Sequence, residues 1–138
     1  MEGRIIHLAA DLLDCNVEKA GVVFYSITNF HSWLGIIDEL LALDKCLASA
    51  KRDWNQIATR LRKLNDVRVR LAHHTTWYTD HSQCTLALRP AREDRRKKSQ
   101  GYAHLTATEI LDFTNATTHM VSDLTDFKTR VRACRIAL

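Results

Sequence analysis

Turn-forming residues are scarce in this chain. Its 138 residues include one proline and four glycines, which excludes an architecture built from many short strands and tight turns. Cysteine pairs of the C-x-x-C kind are also missing. Cys15, Cys46, Cys84 and Cys134 lie about 30 to 50 residues apart, which speaks against a secreted disulfide framework or a cysteine zinc knuckle and for ordinary reduced thiols. No apolar run is long enough to span a bilayer, and the N-terminus lacks a charged region leading into an apolar block with a small-residue cleavage site. The expectation is a cytoplasmic chain with no membrane partner. Nucleophile elbows, glycine-rich phosphate cradles and paired-carboxylate sites are not visible either, which turns attention away from common hydrolase, kinase and glycosidase chemistries.

What is present is helical periodicity. With 46% hydrophobic and 26% charged residues, the composition suits one domain over residues 1–138 with a single core. Ile5, Leu8, Ala9 and Leu12 predict a short first helix over residues 4–13. Asn16 is placed to cap a second helix, and Val23, Ile27, Phe30, Leu34, Ile37 and Leu41 carry its stripe over residues 17–44, about 42 Å at the usual helical rise. Trp54, Ile57, Leu61 and Leu64 mark a third helix. A fourth is predicted over 106–133, opened by the capping box Thr106-x-x-Glu109 and seamed by Ile110, Phe113, Thr117, Met120, Leu124, Phe127 and Val131.

The segment 75–105 interrupts this rhythm. Thr75 to Thr79, then Thr85-Leu86-Ala87-Leu88 before Pro90, favour a short strand or hairpin. The predicted fold is therefore all-α: an up-and-down bundle of four to five helices, with a strand or hairpin excursion and a basic loop between the third and fourth long helices.

That loop concentrates the charge. From residue 89 to 98 it carries Arg89, Arg92, Arg95, Arg96, Lys97 and Lys98 against Glu93 and Asp94, an excess of four that equals the formal net charge of the whole chain. A polyanion such as RNA would meet this tract first, through attraction that steers encounter without choosing sequence. Many charge runs of this length serve solubility alone.

The chemically richest stretch is Arg68-Val69-Arg70-Leu71-Ala72-His73-His74. Guanidinium groups hold anions, and imidazoles move protons near neutral pH. Extending the third helix by its own steps puts Arg68 in a slot that should be apolar, where a cation is expensive unless paired or opened to an interface. Arg70 and His74, four apart, would share a helical face. A helix C-terminus also favours histidine for its charge alone. Zinc held by His73, His74, His81 and Cys84 is a further chemical option, but the spacing matches no common closed site, and no metal or other cofactor is expected.

The segment Leu64-Asn65-Asp66-Val67-Arg68-Val69-Arg70-Leu71-Ala72-His73 resembles the signature of the HEPN superfamily, an arginine followed after four to six residues by a histidine near the end of a long helix. Arg68 to His73 leaves four residues between, and Arg68 to His74 leaves five, so either histidine fits. Val69 stands where that family often has Asn, Asp or His. The resemblance implies a helical bundle and a metal-independent endoribonuclease, of the toxin or defence kind, that acts on RNA as a homodimer. An antitoxin or nucleotidyltransferase-type protein is the further partner it implies. Arg68, His73 and His74 would then be the catalytic candidates, and Arg70, Arg92, Arg95, Arg96, Lys97 and Lys98 the RNA-binding ones.

Two-fold symmetry suits this chemistry, because residues five apart on a helix point about 140° apart and about 7.5 Å along the axis. A second copy would complete the site from the other side. The competing expectation is a non-catalytic HEPN-like module that binds nucleotide or RNA, or dimerises as an accessory subunit.

Overall fold

The structure, a computed structural model, describes residues 1–80, 85–90 and 107–136, with side chains described for residues 1–72 and 107–136. Helices dominate it, in keeping with the all-α class: α1 (Glu2–Leu12), α2 (Val17–Tyr25), α3 (Phe30–Leu43), α4 (Ala50–His73) and α5 (Ala107–Ile136), with a 3₁₀ turn at Lys45–Leu47. The chain divides into two units, Met1–Arg62 with Thr117–Leu138, and Lys63–Ala116.

In the first unit, α1 stops where Asp14 adopts a left-handed backbone, φ 50°. The amide of Cys15 then reaches the Ala10 carbonyl at 3.0 Å and that of Asp14 reaches Asp11 at 3.4 Å. These are the two bonds of a Schellman stop, with aspartate in the position glycine usually takes. Asn16 caps α2 as its chemistry predicts, its Oδ1 accepting from the Lys19 amide at 2.9 Å.

The second helix does not run unbroken from 17 to 44. It breaks over residues 26–29, where three side chains offer the backbone other partners. Ser26 Oγ donates to the Val22 carbonyl at 2.7 Å, Asn29 Oδ1 accepts from the His31 amide at 2.9 Å, and Trp33 Nε1 donates to the Ile27 carbonyl at 2.8 Å. Short polar side chains of this kind compete with the helical ladder and start a new helix at the next cap. The break also changes the buried face. Phe24 is buried, while Val23, placed in the stripe by spacing, is 49% exposed.

The core of this unit gathers Ile5 and Leu8 from α1, Phe24 from α2, Leu34, Ile37 and Leu41 from α3, Trp54 and Leu61 from α4, and Leu124 and Phe127 from α5, all fully buried. The Trp54 and Phe127 rings lie 5.7 Å apart. Ion pairs run along the rim. Arg132 grips Asp11 through two bonds of 2.7 and 2.6 Å, Arg130 meets Asp53 at 2.6 Å, and Arg60 meets Asp123 at 2.7 Å. Exposed pairs of this sort add little to stability individually.

The second unit contains the end of α4, two strands and the start of α5. Strand β1 (His74–Asp80) pairs antiparallel with β2 (Thr85–Pro90), in a register that sets His74 opposite Pro90, Thr75 opposite Arg89 and Trp77 opposite Ala87, with a shift between Tyr78 and Asp80. Of the predicted α5 seam, Met120, Leu124, Phe127 and Val131 are buried, whereas Ile110 is 37% exposed. Thr106, the first residue of the predicted capping box, lies outside the described residues.

Candidate functional site

The candidate site sits on the last two turns of α4 and the first residue of β1. The apolar stripe of α4 is buried at Trp54, Ile57, Leu61 and Leu64, and Arg68 lies within about 40° of Trp54 around the helix axis. Arg68 is nonetheless exposed. It is not the buried guanidinium that helical spacing predicts, and at the surface its charge stays largely hydrated. Full burial along the stripe ends at Asn65, and Leu71 further on is half-buried, because exposure depends on what covers the helix at each level and not on phase alone.

Asn65 is 6% exposed and is the one buried polar residue among the described residues. Nη1 of Arg68 donates to its Oδ1 at 3.4 Å. Sequence reasoning passed over this asparagine, though the signal was present: an amide follows Leu61 and Leu64 where the stripe continues. Val67, Arg70 and Leu71 are half-buried, and Val69 is 42% exposed.

His73 is the final residue of α4, and His74 opens β1. Arg70 and His74 therefore do not share one helical face, since the helix ends between them and the backbone becomes extended at His74. Helical geometry sets Arg68 and His73 about 140° apart, with a rise of about 7.5 Å between them.

The strand pairing links this helix end to the basic tract. Pro90 and Arg89 are the cross-strand partners of His74 and Thr75, so the backbone at the root of the tract comes within about 5.5 Å of the residue that follows α4. Arg92, Arg95, Arg96, Lys97 and Lys98 lie outside the described residues, as do His81 and Cys84 of the zinc option. No group of three or more His, Cys, Asp or Glu side chains is placed to hold a metal ion among the described residues. Among those residues, too, no helix is long and apolar enough to cross a membrane.

Resolved shifts in acidity fall away from this region. Asp11 raises the Arg132 guanidinium further above its usual value by its hydrogen bond and charge. Partial desolvation, with the hydrogen bond and negative charge of Asp44, raises the Cys46 thiol. No family model, no curated protein and no solved structure matches the chain.

Proposed function

We propose that this chain is a HEPN-like endoribonuclease that cuts RNA without a metal, as a homodimer whose helices follow that family's up-and-down order. The observation that supports the reading is the composition of one place: Arg68, Arg70 and His73 within the last two turns of α4, His74 next in the chain, and Arg89 with Pro90 brought beside it by the strand register. Anion-holding and proton-moving groups thus share a helix end with the start of a polycationic segment.

In this reading the ribose 2′-oxygen attacks its own phosphorus while the bond from phosphorus to the 5′-oxygen breaks. One His73 imidazole takes the 2′-hydroxyl proton as base, and the partner copy's imidazolium gives a proton to the departing 5′-oxygen. The Arg68 side chains of the two copies neutralise the charge that builds on the phosphoryl oxygens. His74 is the alternative proton carrier, and Arg70 contacts the RNA backbone. The exposure of Arg68 favours this use, because a residue that must meet a symmetry mate and a phosphate has to be reachable.

Incubating the purified protein with end-labelled single-stranded RNA in chelator, followed by end-group analysis, tests the reaction class. A 2′,3′-cyclic phosphate is the expected product. Intact RNA, or cleavage that leaves a 5′-phosphate, overturns the reading.

The exposed Val69 favours a second reading. An apolar side chain where HEPN enzymes often have a polar one suits a module that holds a nucleotide phosphate or a second copy without cutting. Such a module would serve as an accessory subunit to an antitoxin or nucleotidyltransferase-type partner. Harmless expression of the chain alone, with nucleotide binding retained, supports it; growth arrest that His73→Ala relieves supports the nuclease.

A further inference from the structure

An asparagine in the interior of a helix is unfavourable on two counts. Its side chain competes with the helical backbone, and its amide loses water when buried. On α4 this happens at Asn65, next to buried Leu64 and one turn beyond buried Leu61, where helix propensity alone would favour a leucine. Residues that break a local rule in this way usually answer to function. What Asn65 touches indicates which function: its Oδ1 accepts from Nη1 of Arg68, one turn further along the helix.

The geometry assigns Asn65 as the positioning residue of Arg68, a role that rests on the nuclease reading above. An exposed arginine has a long, freely rotating stem. Its use against a phosphoryl group depends on the plane of the guanidinium being set before the RNA arrives, since preorganised donors spend nothing on reorientation during the reaction. Anchoring one Nη to an amide that is itself held by burial sets that plane. The Asn65 amide is neutral, so this contact orients the guanidinium without itself neutralising it. Asn65 itself is buried and has no part in contacting substrate.

The test compares Asn65→Leu, Arg68→Ala and the double variant by RNA cleavage in chelator, thermal unfolding and ¹⁵N spectra of the arginine side chains. Asn65→Leu is expected to lower kcat about tenfold, the scale of a lost hydrogen bond to a charged group, with KM moved by less than about twofold. It is expected to have no further effect once Arg68 is alanine, and to shift the Arg68 guanidinium signal while the melting temperature holds or rises. Asn65→Asp, which keeps the acceptor but adds a negative charge beside the guanidinium, is expected to return the Arg68 signal toward its native position while recovering only part of the lost kcat. Equal losses from Asn65→Leu in both backgrounds overturn the assignment. So does a guanidinium signal that Asn65→Leu leaves unmoved. If the native chain cuts no RNA and the signal still moves, the nuclease reading alone falls and the hold of Asn65 on Arg68 stands. Asn65→Ala is read in the same way if the leucine variant does not fold.

Discussion

Pro90 stands opposite His74 across the antiparallel pair of β1 and β2. Sixteen positions of chain separate the two, and the pairing cancels that distance at the backbone. The end of α4 and the first residues of the polycationic segment are thereby neighbours, and the proposed RNA site rests on that placement.

Removing either half of the Arg/His set should abolish cleavage. Arg68→Ala and His73→Ala are each expected to lower the rate at least about a hundredfold, the usual scale for a lost proton-transfer or charge-stabilising group. Helicity by circular dichroism should stay at the native level, because Arg68 is exposed and His73 ends its helix. Native-like rates in either variant would remove the mechanism.

The basic tract should act on affinity through salt. Replacing Arg95, Arg96, Lys97 and Lys98 by glutamine removes four cations, and the slope of log affinity against log salt for single-stranded RNA should flatten by up to about 2.8, at roughly 0.7 per phosphate neutralised. Titration at several salt concentrations reads this directly. An unchanged slope would leave the tract as a device for solubility.

Stability should centre on Trp54. Its side chain is fully buried against Phe127, and truncation to alanine is expected to lower unfolding free energy by about 3–5 kcal/mol in denaturant titration. Trp54 Nε1 is buried with no hydrogen-bond partner, so Trp54→Phe sheds an unsatisfied donor along with some volume. The phenylalanine variant should therefore lose much less than the alanine one.

Cys46 should be slow to alkylate despite its exposure. Partial desolvation, with the hydrogen bond and charge of Asp44, raises its thiol above the ordinary value, so less thiolate is present at pH 8 than in a free cysteine peptide. The rate of iodoacetamide labelling should rise at a higher pH than for the peptide. Asp44→Asn removes the negative charge and should move that rise back toward lower pH; an unmoved profile would show that Asp44 does not set it.

Features held within a few residues were legible from the order of amino acids. The Asn16 cap, the apolar face of α4 from Trp54 to Leu64, and the α5 seam from Met120 to Val131 all follow from side-chain chemistry acting over one or two turns. The break at 26–29 was less legible, because Ile27 and Phe30 continue the helical spacing while Ser26 and Asn29 withdraw the hydrogen bonds that would sustain it. Periodicity counts apolar positions; it does not weigh competing donors and acceptors.

Of the candidate site, the residue types and their helix could be read from the chain. The surroundings could not. Helical phase follows from sequence and puts Arg68 on the same stripe as Trp54, but burial requires another element lying over that stripe. Full burial reaches only as far as Asn65, so Asn65 takes the buried polar position while Arg68 is exposed and Leu71 half-buried. The nearness of Pro90 to His74 likewise depends on cross-strand hydrogen bonds between segments remote in the chain. Phase is set by the rise and turn of a single helix, whereas cover and register are set by contacts whose cost in loop closure no local pattern encodes.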